Sequence, residues 1–329
     1  MLYIFIYIIV PVVSFLAIIG FSSWRQDLYS WLYSLVGRGS GNLAGQRIWV
    51  IGCSQGIGED IVYQLAAAKC ELILSARTYD KLVNVAKACE NYKTVSNVPN
   101  KPVIVPFDMS DLSEHTEVVR RLLEQVDRID GVVLCAGRSQ RSLISEMDIE
   151  VVEQLFQLNT IAPMSLTRAI LPHFIKNNRG HICVIGSLSA RIPATIMAAY
   201  GASKAALQSY FTTLRYEATA HNIKVTIIHP GQIQTDAPKE VFRDKSTMDK
   251  RVSPTGSLAQ NRMSSKDCAS ITVTAMGNNM HEVWMSNQPI LCLTYFYHYG
   301  SGFILALMDP LIRKMSNKRI KSFKEVGHV

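Results

Sequence analysis

Between Arg47 and Pro230, six short runs rich in β-branched and other apolar residues alternate with segments of helical period. The runs are 47–52 (RIWVIG), 71–76 (ELILSA), 102–107 (PVIVPF), 131–136 (GVVLCA), 181–186 (HICVIG) and 224–230 (KVTIIHP). Helical spacing covers 57–69, 80–90, 112–126, 149–175 and 200–218. Strands covered by helices on both faces read as unbroken apolar runs, whereas a half-solvated strand alternates. The alternation therefore predicts an α/β fold with a doubly wound parallel sheet, whose ligand site lies at the carboxyl ends of the strands. Nothing in the chain repeats, and no second folded domain is indicated.

Both ends depart from this pattern. The first charged residue is Arg25, and the stretch before it, MLYIFIYIIVPVVSFLAIIGF, is apolar over about the twenty residues that a ~30 Å hydrocarbon core requires. It lacks the basic start and short apolar core of a cleavable signal peptide, the main alternative. Residues 1–22 are expected to be a transmembrane anchor, 23–45 a linker, 46–286 the α/β domain and 287–329 an apolar extension with a basic tail. Basic residues flank the anchor only on its carboxyl side (Arg25, Arg38), which favours a cytosolic body. A second uncharged stretch, 283–308, contains Pro289, Gly300 and Gly302 and is expected to form two short helices against a membrane or over a cavity; an ordinary buried segment is the alternative.

Charge excludes one class of partner. The 34 Lys and Arg outnumber 26 Asp and Glu, for a net +8, but from Pro310 onward six basic residues face a single acid. The body is thus close to neutral, and no nucleic-acid partner is expected. A basic tail suits an anionic membrane leaflet instead. The seven cysteines are scattered without a CxxC pair, so neither a disulfide framework nor a metal site is suggested.

Chemistry-bearing residues cluster at the predicted strand ends. The first strand runs into Gly52-Cys53-Ser54-Gln55-Gly56-Ile57-Gly58 and straight into a helix. Glycines there permit a tight turn and let a pyrophosphate approach backbone amides at the helix start, although a plain turn is the alternative. The second strand ends at Ser75-Ala76-Arg77. A carboxylate here would bind the ribose hydroxyls of NAD; a basic residue instead favours a 2′-phosphate, hence NADP(H) over NAD(H), unless Arg77 merely solvates the strand end. Asp108, after the third strand, could accept from an adenine amino group. Tyr200 and Lys204, at i and i+4, share one helix face, where an ammonium would favour the phenolate and lower the phenol's pKa. Ser187 lies thirteen residues upstream of Tyr200.

With these motifs the chain resembles the short-chain dehydrogenases/reductases, over roughly residues 45 to 286 and in the correct order. Ser139-Gln140-Arg141-Ser142-Leu143 and Leu171-Pro172-His173 are similar to the membrane-associated member-seven group of that family. The resemblance implies a Rossmann-like fold and a set of roles. Tyr200 would be the proton donor, Lys204 would hold the nicotinamide ribose, Ser187 would polarise the substrate oxygen, and Asn159 would position a water. Ala136, Gly137, Pro230, Gly231, Ile233 and Thr235 would line the cofactor together with the glycine loop. It also implies an endoplasmic-reticulum membrane location, and a homodimer is a possible assembly.

Two positions depart from the family pattern. Ile51 stands where a threonine is usual, and Leu134-Cys135 where two asparagines are usual. Both changes remove side-chain hydrogen bonds that brace the cofactor loop. They keep open a competing reading, a nucleotide-binding scaffold without turnover. The expected substrate, a lipophilic ketone or aldehyde and its alcohol, is inferred from the anchor, and 236–263 carries no further signature of it.

Overall fold

A computed structural model describes residues 25–37, 39–93, 101–234, 239–242, 248–251, 262–300 and 302–326. The anchor expected at 1–22 lies outside them, as does Thr235. Among the described residues no helix is long and apolar enough to cross a membrane.

Seven parallel strands form the central sheet: β1 (Arg47–Ile51), β2 (Glu71–Ser75), β3 (Val103–Ile104), β4 (Gly131–Leu134), β5 (Gly180–Ile185), β6 (Ile223–Pro230) and β7 (Glu282–Met285). Their order is β7-β6-β5-β4-β1-β2-β3. The chain leaves β1 in one direction and returns at β4 on its other side, which opens a crevice at the carboxyl ends of those two strands. Six strands agree with the sequence reading. The seventh corrects it, because 283–285, read as the start of an uncharged stretch expected to form short helices, pairs with β6 as Val283↔Ile228, Trp284↔His229 and Met285↔Pro230.

The alternation of side chains along each strand builds two cores. Ile48 and Val50 face one way, with α2 (Gly56–Ala67), α3 (Tyr79–Lys93) and α8 (Ser265–Gly277) covering them. Trp49 and Ile51 face the other, under α4 (His115–Gln125), α6 (Ala162–Lys176) and α7 (Ala198–Glu217). The helix expected at 149–175 is not continuous. It consists of α5 (Ile149–Phe156), a π-helical turn at Gln157–Ile161, and α6. Single π turns interrupt helices most often where function needs a residue displaced.

Residues 25–43, read as a linker, are bound into the domain. α1 (Leu28–Val36) starts at an Asp27 cap whose carboxylate accepts from Ser30 N at 2.7 Å and, across the molecule, from Trp284 N at 2.7 Å. The 3₁₀ turn Gly39–Leu43 packs on α8 and buries Leu43. After β7 come α9 (Ile290–Tyr299) and α10 (Gly302–Val326), so the second expected short helix is a 25-residue one.

Candidate active site

The glycine loop is shaped for close backbone approach. Gly52 has φ +83 and Gly56 +65, and a β-carbon on Gly58 would come within 2.3 Å of Gly52 O. Only hydrogen fits at position 58, so the start of α2 lies directly on the loop. Gln55 caps α2 without a side-chain hydrogen bond, which leaves the first-turn amides free of a side-chain cap. An uncapped helix start behind a glycine cradle suits the pyrophosphate of a dinucleotide, so these residues fit the cofactor the sequence implies. The substitutions at 51, 134 and 135 do not open the loop. Gly52 N donates to Ser75 O at 2.8 Å and Cys135 N to Ile51 O at 3.0 Å, so backbone bonds brace the strand ends. Ile51 and Leu134 are buried among apolar neighbours.

Arg77 is exposed two residues beyond β2, and Ala136 and Gly137 follow β4 across the crevice. Asp108 is already engaged within its own turn, where Oδ1 accepts from Ser110 N at 2.9 Å and Ser110 Oγ at 2.7 Å. At the end of β6, Pro230 leads into Gly231, whose N donates to Met285 O at 2.7 Å, and then to Ile233 in a short strand.

The fold gathers the four reactive candidates at the carboxyl ends of β4 and β5. Ser187 is buried two residues past β5, and its hydroxyl is bonded to the Tyr200 phenol. Lys204, one turn further along α7, is buried and donates from Nζ to Ile185 O at 2.9 Å. Asn159, buried in the π turn, accepts from Arg138 N at 2.8 Å and donates to Arg138 O at 2.9 Å and Ser203 Oγ at 3.1 Å. A β-carbon on Gly137 would meet Asn159 Oδ1 at 3.0 Å and Lys204 Nζ at 3.4 Å, so these two groups adjoin the loop after β4.

Electrostatics corrects one expectation. Burial pushes the Tyr200 phenol above its ordinary value, and the Ser187 bond pulls it back only in part. The same burial lowers the Lys204 ammonium to about 8, with Cys135 partly opposing it. An ammonium that is itself desolvated, and whose Nζ is engaged with a strand carbonyl, does not bring the phenol below its ordinary value.

Behind Ser187 lies a group of residues that sequence reasoning missed. His229 is fully buried on β6, with Nδ1 3.1 Å from Ser187 O and Nε2 3.3 Å from Glu282 Oε1. Burial alone would raise the Glu282 carboxyl, but His229, the Trp284 indole (2.6 Å) and Arg191 together hold it at about 2. The Arg191 guanidinium also stands 5.3 Å over the Trp284 ring. The one signal in the sequence was a histidine inside an apolar strand directly before Pro230.

Comparison with known proteins agrees with this geometry. The short chain dehydrogenase family model matches residues 46–246. The chain is 34% identical over 285 residues to dehydrogenase/reductase SDR family member 7 of Homo sapiens, covering 86% of this chain and 81% of that protein. The chain belongs to the short-chain dehydrogenase/reductase family. Member 7 of Mus musculus is 33% identical over 285 residues, again 86% of this chain and 81% of that protein. Among solved structures, a short-chain dehydrogenase from Streptomyces avermitilis shares the fold with a TM-score of 0.65 at 22% identity, over 85% of this chain and 98% of that one. A metagenomic short-chain oxidoreductase in complex with NADP shares it with a TM-score of 0.59 at 24% identity, over 74% of this chain and 97% of that one. As a short-chain dehydrogenase/reductase, the protein is an oxidoreductase whose fold binds a nicotinamide cofactor.

Proposed function

We propose that this chain is a membrane-anchored, NADP(H)-dependent reductase that interconverts a lipophilic ketone or aldehyde with its alcohol. The observation that carries the reading is the convergence of Ser187, Tyr200, Lys204 and Asn159 on one buried point beside the glycine loop. Bound there, the nicotinamide supplies or accepts the hydride.

The chain's own groups manage the proton. Tyr200, kept protonated by burial, donates to the carbonyl oxygen as negative charge develops on it. Ser187 hydrogen-bonds the same oxygen and steadies the phenol. Lys204 holds the ribose and, close to neutrality in its proton affinity, is suited to pass a proton toward the phenol. Asn159 locks the Arg138 backbone and the π turn, and positions a water for that transfer.

Arg77 supports the NADP(H) preference, as a cation where an NAD-selective site carries an acid. The membrane reading rests on the apolar sequence before Arg25 and on α1 directly after it. Leu28, Leu32, Leu35 and Val36 are exposed along α1, an apolar face that favours an apolar neighbour. An endoplasmic-reticulum membrane with a cytosolic catalytic domain follows the family resemblance and the placement of Arg25 and Arg38.

Tyr200→Phe tests the reading, with a bulky ketone as substrate and NADPH binding followed by fluorescence. Turnover should fall by about 10²–10⁴-fold with NADPH binding nearly unchanged, because only the proton donor is lost. Lys204→Ala should in addition weaken NADPH. A Tyr200→Phe variant keeping more than about a tenth of the activity would remove Tyr200 from the mechanism. NADPH binding by the native chain without turnover of any ketone would favour a scaffold.

A further inference from the structure

Three arginines from distant parts of the chain lie close enough to repel one another near the start of α7. Arg141 follows the short strand Ser139–Gln140, and its backbone is held by Arg141 N to Phe242 O at 2.8 Å and Ser142 N to Ile196 O at 3.0 Å. Arg262 immediately precedes Met263–Ser264, which pairs with Ile233–Gln234 beyond the end of β6. Arg319 comes from α10, which the Thr195 Oγ1 to Ser316 Oγ contact of 2.7 Å ties to the loop before α7. Arg319 Nη2 reaches the Met197 sulfur at 3.1 Å, a weak acceptor for a full cation. The Nε atoms of Arg141 and Arg262 are buried with no hydrogen-bond partner.

Among the described residues, no carboxylate forms an ion pair with any of the three. Burial lowers all three guanidinium groups, and for Arg141 the charges of Arg319 and Arg262 add to the effect. Desolvating like charges beside one another is costly unless an anion joins them. A second feature points to the same place. Met197, the Arg319 contact, is the N-cap of α7 and makes no side-chain cap bond, so the positive end of a 20-residue helix faces this group. Tyr200 lies three residues inside that helix.

We propose that Arg141, Arg262 and Arg319, with the amino end of α7, form a binding site for an anionic oxygen group, a carboxylate or phosphate, at the substrate side of the Tyr200 site. Guanidinium forks match such groups bidentately, which a lone ammonium does not. The inference rests on the reductase reading and narrows its substrate class. The favoured substrate is amphiphilic, with its carbonyl at Tyr200 and an anionic end on the arginines. The same chemistry is offered by a membrane phosphate headgroup, which would hold α10 over the site instead.

The test uses the full chain in non-ionic detergent with saturating NADPH, so that the cofactor's own phosphate sites are filled. Binding of 12-oxo-octadecanoate and of its methyl ester is measured by calorimetry, and turnover of each separately. The native protein should bind the acid about tenfold or more tighter than the ester, and Arg319→Gln and Arg141→Gln should bring the ratio to about one. NADPH binding checks that each variant is folded, and Arg319→Gln, on the outer helix, serves alone should Arg141→Gln misfold. If the ratio is one in detergent, the ester is retested on vesicles of phosphatidylserine against phosphatidylcholine. Tighter ester binding on the anionic vesicles, lost in Arg319→Gln, assigns the site to a headgroup. Equal acid and ester binding with no vesicle dependence overturns the site. A preference for the acid without turnover of either compound leaves the anion site standing and overturns the reductase reading instead.

Discussion

At the scale of single residues, what matters is how burial sets proton affinities. Ser187, Tyr200 and Lys204 are all removed from water, so the phenol is raised and the ammonium lowered. In the proposed mechanism the two shifts leave the phenol holding its proton and the ammonium ready to release one, the direction a relay from Lys204 to Tyr200 requires. In the proposed reading cofactor choice turns on one side chain, since Arg77 stands two residues past β2 where an NAD-selective site carries an acid. Arg77→Ala should weaken NADPH by about ten- to a hundredfold and leave NADH little changed, because a charge-assisted bond to phosphate of ~1.5–3 kcal/mol has no counterpart in NADH. Titrating both cofactors into the native and variant proteins checks this. An equal loss for the two would make Arg77 a structural residue.

At the scale of elements, the β1–α2 junction and the π turn do most to place the site. Gly58 packs its Cα against Gly52 O, so α2 can start only where no side chain intervenes. Gly58→Ala should therefore push the helix off the loop. The expected result is NADPH affinity lowered by about a hundredfold or more, with a destabilisation of about 1–3 kcal/mol and a melting temperature lower by a few degrees. Unchanged affinity in the variant would show that the loop does not need this contact. The π turn plays the corresponding part on the other side. A regular helix through 149–175 would carry Asn159 at a different angle, and the inserted residue turns its amide onto Arg138 and Ser203.

At the scale of the whole molecule, residues 25–27 meet the end of β7. Asp27 N donates to Trp284 O at 2.9 Å and Ser286 N to Arg25 O at 2.9 Å, so the segment leaving residues 1–24 is stitched to β7. A cavity of about 450 Å³ opens there, lined by Leu28, Leu291, Tyr295, Phe296 and Tyr299 among others. An anchor in residues 1–22 would hold this apolar side toward the bilayer. If so, protease added to intact microsomes should digest the catalytic domain and leave a short N-terminal fragment, and carbonate washing should not release the protein. Full protection until detergent is added would reverse the orientation, and release by carbonate would remove the anchor.

Much of this arrangement was legible along the chain because its causes are local. The glycine loop, the Tyr200–Lys204 pair on one helix face and the β-branched runs each depend on spacing within a few residues. Three things depended on contacts between distant segments. β7 is only four residues long and opens the uncharged stretch 283–308, so its pairing with β6 decides that it is a strand. Residues 25–43 look like a linker because their polarity is mixed, yet Asp27 is buried by a partner 257 positions away. The arginine group draws on positions 141, 262 and 319, and the His229–Glu282 contact joins β6 to β7. Local periodicity carries secondary structure, but desolvation and long-range pairing exist only once the sheet has brought those segments together.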